Sequence, residues 1–137
     1  MNCLFCEIIL GNIPSTTVYE NEYLKVIMDI NPSVDGHLLV ITKAHFENYQ
    51  DLDKELIFEI NKASEICYQA LEKELGAKGM SLVTNVGLAQ DIKHTHYHII
   101  PTYEDIRGIE FNENGNSSSV KEIANKIIDG ISLKGDI

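Results

Sequence analysis

The stretch His94-Thr95-His96-Tyr97-His98-Ile99-Ile100-Pro101 decides how the rest of the 137-residue chain is read. Its alternation predicts a β-strand over His94–Thr102, on which residues i, i+2 and i+4 share one face at about 6.7 Å spacing. All three imidazoles then point the same way. They would fill a core poorly, because each carries ring nitrogens that need a partner once buried. Two other readings stay open at this level. The face is simply solvated, or histidines at His-x-His spacing hold a metal ion.

Working outward, the segment 3–10 reads as a short helix stopped by Gly11 and Ile13-Pro14, and the β-branched run Thr16-Thr17-Val18-Tyr19 as a first strand. Tyr23 to Met28 gives a second strand, broken at Asn31-Pro32. His37-Leu38-Leu39-Val40-Ile41-Thr42, launched from Asp35-Gly36, is continuously apolar and so predicts a strand buried on both faces. From Asp53 to Leu75 the residues Leu56, Ile60, Ala63, Cys67, Leu71 and Leu75 recur at helical steps, with Asp51 or Asp53 as N-cap and Gly76 as the stop. Met80 to Thr84 returns to strand character. After a polar loop over Asn112 to Ser118, Ser119-x-x-Glu122 forms a capping box for a last helix with Val120, Ile123, Ile127 and Ile128 facing inward. The expected architecture is α+β: a mainly antiparallel five-stranded sheet, one long helix and a C-terminal helix, in a single domain over residues 1–137.

A formal charge of −10 with singly scattered Lys and Arg argues against a nucleic-acid polymer or an anionic membrane surface as partner. It does not exclude a mononucleotide, since salt screens distant charge over about 8–10 Å. No apolar run reaches the roughly 18–20 residues of a membrane span, and the N-terminus lacks a signal-peptide pattern, so a cytoplasmic protein is expected. In a reducing compartment Cys3-x-x-Cys6 suggests metal or redox chemistry before a disulfide, whereas Cys67 lies on the helical stripe as an inert core residue.

These pieces together resemble the histidine-triad family, whose signature is His-φ-His-φ-His-φ-φ with φ usually apolar. The resemblance extends over about residues 3 to 106: Cys3-Leu4-Phe5-Cys6-Glu7-Ile8-Ile9, Ile13-Pro14, Asp29-Ile30-Asn31-Pro32, Gly36-His37-Leu38-Leu39-Val40-Ile41, Lys43-Ala44-His45, then Asn85, Gly87 and Gln90. It implies a nucleotide hydrolase or transferase that cleaves at the α-phosphate of a purine nucleoside phosphoramidate or dinucleoside polyphosphate. His96 would be the nucleophile, forming a nucleotidyl-histidine that water resolves to a nucleoside monophosphate. A hydrogen bond from its Nδ1–H to a backbone carbonyl would leave Nε2 free to attack. His98 and the Gln90 amide are the candidate donors to the phosphoryl group, His37 resembles the fourth active-site histidine, Asp29 the acid that binds the ribose hydroxyls, and Asn85 a residue lining the ribose and phosphate side. Cys3, Cys6, His45 and His94 resemble the structural zinc site of a subset of the family, a closed tetrahedral set. The family likeness also implies a homodimer with the long helix at the interface.

The chain departs from the family pattern before the triad. Asn85-Val86-Gly87-Leu88-Ala89-Gln90 is two residues shorter than the usual loop, Ala89 stands where Gly is common, and Asp91 takes the place where some members have a Ser that donates to phosphate. An ionised Asp cannot donate. The chain has no Trp and so lacks the Trp-Pro-Pro-Gly ending of the phosphoramidase branch, while His98 in the third triad place argues against the hexose-phosphate nucleotidyltransferases. Both remaining branches stay open, as does a nucleotide-binding or partner-binding module with little catalysis.

Overall fold

The computed structural model describes residues 3–113, 115 and 119–134. Five strands form one antiparallel sheet: β1 (Thr17–Glu20), β2 (Leu24–Met28), β3 (Leu38–Thr42), β4 (Gly79–Val83) and β5 (His96–Thr102), in the order β1-β2-β3-β5-β4. Among the described residues three α-helices accompany them: α1 (Leu4–Ile9), α2 (Lys54–Leu75) and α3 (Val120–Lys134). This is the α+β architecture expected.

Every residue of β3 is buried because the strand has helices on both sides. Leu38 and Val40 join Leu24, Val26 and Ile99 under Leu56, Ile60, Ala63, Cys67 and Leu71 of α2. Leu39 and Ile41 face the other way and pack with Ile27 against Cys3, Phe5 and Ile8. Burial of such aliphatic side chains contributes about 1.5–3 kcal/mol each, so both helices are held by the strand they share. Register then assigns the histidines to a side. Leu39 lies opposite His98 and Ile41 opposite His96, and directly paired residues project to the same face, so both imidazoles stand on the α1 side. Tyr97 and Ile99 fill the α2 side.

The helix termini follow local chemistry. Asp53, not Asp51, caps α2 by accepting from the Leu56 N–H at 2.9 Å, while Asp51 closes a separate 3-10 turn over Tyr49–Asp51. Gly76 ends α2 in the left-handed conformation at φ 76°, where a side chain would be strained. Ser119 Oγ accepts from the Glu122 N–H at 3.4 Å at the start of α3.

Two expectations need correction. The triad strand starts at His96, because residues 91–94 bend, with the His94 N–H donating to the Ile92 carbonyl at 2.8 Å. Val120, Ile123, Ile127 and Ile128 do not face inward: all four are exposed, so no described residue covers the apolar stripe of α3. On α2, Tyr68 packs against the core, whereas Phe58 is exposed. Of the polar loop over 112–118, residues 114 and 116–118 lie outside the described residues. No described helix is long and apolar enough to cross a membrane.

Candidate active site and the adjoining metal-ligand cluster

The bend before β5 splits the three histidines between two neighbouring clusters. His96 and His98 remain side by side on the strand, ring centroids 5.2 Å apart. His94 turns instead toward the N-terminal helix and the end of β3. Phe5 of α1 sets its ring edgewise against both His96 (4.9 Å) and His94 (6.0 Å), so one aromatic side chain braces the two clusters.

Main-chain partners assign the tautomers. The Nδ1 of His96 lies 2.7 Å from the His94 carbonyl, which can only accept; Nδ1 therefore carries the proton and Nε2 keeps its lone pair. The Ser33 N–H donates to Nδ1 of His37 at 3.0 Å, so neutral His37 carries its proton on Nε2 and donates it to Nδ1 of His98, 2.9 Å away. His98 in turn carries its own proton on Nε2. A bare imidazole nitrogen and a protonated one thus arise on adjacent side chains of one strand face.

Burial holds these rings neutral. It pushes the pKa of His96 below the ordinary value, against the hydrogen bond to the His94 carbonyl and the charges of Asp91 and Asp29, which raise it. For His98 burial again leads, reinforced by His96 and His37 and opposed by the same two carboxylates. Burial also lowers His37, with Asp29 opposing. Asp29 is half-buried; one carboxylate oxygen accepts the Asn31 N–H at 2.8 Å and the other lies 3.4 Å from Nε2 of His37. It serves the Asn-Pro turn and the histidine cluster together.

Asn85 is half-buried just after β4. Gln90 is buried, and its Nε2 donates at 2.5 Å to the Glu47 carbonyl; Oε1 has no partner among the described residues. One of its two N–H groups is therefore committed to the loop after β3. Between them Gly87–Ala89 forms a 3-10 turn, with the Lys93 ammonium donating to the Gly87 carbonyl at 2.7 Å. That bond ties the shortened loop to the bend carrying Asp91.

The second cluster gathers Cys3, Cys6, His45 and His94, whose ligand atoms all lie within 4.8 Å of one another. Nδ1 of His94 is 3.3 Å from Cys3 Sγ, 3.4 Å from Cys6 Sγ and 3.0 Å from Nδ1 of His45, and Cys6 Sγ is 3.2 Å from the same His45 nitrogen. Nε2 of His94 donates to the Thr42 carbonyl at 2.6 Å, which leaves Nδ1 bare toward the two sulfurs. These residues could hold a metal ion. The neighbouring group Asp29, His37 and His98 is equally close-knit, but its facing nitrogens already form a donor and acceptor pair.

Sequence reading named every ionisable member of both clusters. It did not find the Ser33 N–H or the carbonyls of Thr42 and His94, because main-chain groups leave no mark on residue type.

Comparison with known proteins agrees with this geometry. The family model described as HIT domain matches residues 10–105. An uncharacterised HIT-like protein of Methanocaldococcus jannaschii is 39% identical over 114 residues, 81% of this chain and 88% of that one. The adenylylsulfatase HINT3 of Arabidopsis thaliana is 34% identical over 105 residues (75% and 53% of the two chains). The adenosine 5'-monophosphoramidase HNT1 of Saccharomyces cerevisiae is 29% identical over 109 residues (78% and 66%). The crystal structure of a HIT family member from Bacillus subtilis superposes with a TM-score of 0.81 at 33% identity, covering 97% of this chain and 96% of the other. A sheet presenting a histidine pair beside a Cys2His2 cluster thus has the fold of these proteins. The chain belongs to the HIT-domain family.

Proposed function

We propose that the chain, working as one domain, is a nucleotide hydrolase or transferase that acts at the α-phosphate of a purine nucleoside phosphoramidate or a dinucleoside polyphosphate. The observation that carries this reading is the bare Nε2 of His96, produced by the bond from its Nδ1–H to the His94 carbonyl. The names of HINT3 and HNT1, an adenylylsulfatase and an adenosine monophosphoramidase, support a bond at an adenylyl phosphorus as the one cleaved.

In this reading Nε2 of His96 forms a bond to the α-phosphorus as the bond to the leaving group breaks, the electron pair departing with that group. The leaving atom takes its proton from solvent. The Nε2–H of His98 donates to the phosphoryl group as negative charge develops there, oriented by His37 through Nδ1. Water then displaces His96 from phosphorus, loses its proton to solvent and releases the nucleoside monophosphate. Asp29 accepts from the ribose hydroxyls with its carboxylate, and Asn85 and the second N–H of Gln90 line the ribose and phosphate side.

The Cys3, Cys6, His45 and His94 set suits zinc. Bond lengths of about 2.3 Å to sulfur and 2.0 Å to nitrogen place the ligands of a tetrahedral ion roughly 3.3–3.8 Å apart, close to the spacings found. Such an ion supplies no open position for water and ties α1 to the end of β3. A homodimer through α2 is supported by the exposed Ile57, Phe58 and Ile66 on that helix; light scattering should give twice the 15.4 kDa chain mass, and the chain mass itself refutes it.

His96→Ala tests the assignment. Turnover of adenosine phosphoramidates should fall by at least about 10³-fold, with loss of the adenylyl-protein seen by intact mass after quenching, while AMP still binds. A turnover rate equal to that of the parent protein sinks it, and absence of turnover and intermediate in the parent across both substrate classes favours a binding module.

A further inference from the structure

Register places two carboxylates at opposite ends of the histidine row. Asp29 follows β2, whose last residue pairs with Leu38 and through it with Ile99, and its N–H donates to the His37 carbonyl at 3.1 Å, so it stands toward the Thr102 end of β5. Asp91 lies in the bend before β5, beyond His96. That bend is pinned along residues 42–47: the Gln90 amide donates to the Glu47 carbonyl at 2.5 Å, the His94 ring to the Thr42 carbonyl at 2.6 Å and the Thr95 N–H to the Phe46 carbonyl at 2.7 Å. Asp91 is thus held by its neighbours, while its own side chain is exposed and has no ion pair among the described residues. Its charge acts on His96 and His98 but not on His37, as a place beyond His96 requires.

We propose that Asp91 selects the leaving group by charge, so that the site takes a nucleoside phosphoramidate whose amine carries a positive charge in preference to a dinucleoside polyphosphate. The proposal rests on the reading that a bond at the α-phosphate is cleaved at His96. With phosphorus at Nε2 of His96 and the ribose drawn to Asp29, the group beyond phosphorus extends past His96 toward Asp91. An ammonium there meets a carboxylate that has no ion pair. The negative charges of a polyphosphate meet the same carboxylate with no lysine to offset it, because the Lys93 ammonium is turned to the Gly87 carbonyl at 2.7 Å. Gln90 repeats the preference: one N–H of its amide is committed to Glu47, and the atom left without a partner is Oε1, an acceptor in want of a donor. As Nε2 of His96 bonds to phosphorus the P–N bond breaks, and its electron pair stays with the amine nitrogen, which takes a proton from solvent. The ammonium at the far end of the amine keeps Asp91 as its partner throughout.

The test uses the full-length protein and three adenosine phosphoramidates of similar size, made with ethylenediamine, propylamine and glycine, so that the leaving amine is cationic, neutral or anionic. Diadenosine triphosphate is the fourth substrate. At about pH 8, where the histidines are neutral, kcat/KM should fall from the cationic to the anionic compound, with diadenosine triphosphate slower than the ethylenediamine compound. Comparing parent and variant cancels the intrinsic reactivity of each bond. Asp91→Asn should lower the cation-to-anion ratio about tenfold, Asp91→Glu should keep it, and Asp91→Lys should lower it further still. Raising salt from about 0.02 to 0.5 M should shrink the ratio in the parent and leave it unchanged in Asp91→Asn, a response that a merely structural role would not give. Thermal melting reports whether each variant is folded, and the salt response of the parent decides alone if one is not. A ratio equal in parent and Asp91→Asn, or indifferent to salt in the parent, overturns the selection while leaving cleavage at His96 standing. A parent protein that turns over none of the four substrates overturns both.

Discussion

Two groups of histidine and acidic or thiol side chains lie almost back to back in this chain, each drawn within 4.8 Å, and they are suited to opposite tasks. In the Cys3, Cys6, His45 and His94 group the outer nitrogen of His94 is spent on a carbonyl, so its inner nitrogen faces the sulfurs bare. In the Asp29, His37 and His98 group the outer nitrogen of His37 accepts an N–H from Ser33, so its inner nitrogen carries a proton and donates it onward. Proximity of ligand atoms is the same in both. What differs is the main-chain group on the far side of one ring, an acceptor in the first and a donor in the second.

The contrast predicts one zinc ion per chain, lost on Cys3→Ser and kept on His37→Ala. Cys3 is buried, caps α1 and supplies a ligand, so its loss should cost more than about 4 kcal/mol of stability in thermal or denaturant unfolding. Two ions in the parent protein, or one that departs with His37, would erase the distinction between the groups.

A smaller effect should separate them from the other side. Removing the His37 ring frees Nδ1 of His98 to take up the proton, so the donor aimed at phosphate is present only part of the time. His37→Ala should lower kcat about 10- to 100-fold with zinc content unchanged. His37→Gln, whose amide can replace the donor to His98, should recover much of the loss. Equal defects in the two variants would mean that His37 does not act through His98.

How much of this was legible in the sequence depends on where each determinant resides. The sheet, α2 and its Gly76 stop follow from periodicity and caps within a few residues of one another. The histidines of the triad strand stood out because such side chains are costly to bury without a task, whereas His37 and the set Cys3, Cys6, His45 and His94 were legible through the resemblance to the histidine-triad family. The bend that removes His94 from the strand was not, since strand propensity runs unbroken through Thr95 and the pull comes from Cys3, Cys6 and His45 far away in the chain. The same holds for Gln90, whose partner is a carbonyl at Glu47. The isoleucines of α3 follow helical spacing faithfully, but spacing identifies a face without saying that the chain has anything to cover it.

The finest test uses Asp91, the residue standing where some members of the family have a Ser that donates to phosphate. Burial lowers the pKa of His37, His96 and His98, so folding keeps these rings neutral while the unfolded chain takes up protons below about pH 6.5. Stability should therefore decline as pH falls through that value, and the rate with it. The Asp91 charge opposes burial at His96 and His98, whereas it is absent from the causes that shift His94. Asp91→Asn removes a negative charge that favours the imidazolium, so both pKa values should drop further and the acid limb of the pH–rate profile should move to lower pH by less than about one unit. Zinc content and the neutral-pH melting temperature should not change. A shift of the limb to higher pH, or a loss of zinc, would mean that the carboxylate belongs to the wrong side of the divide between the two groups.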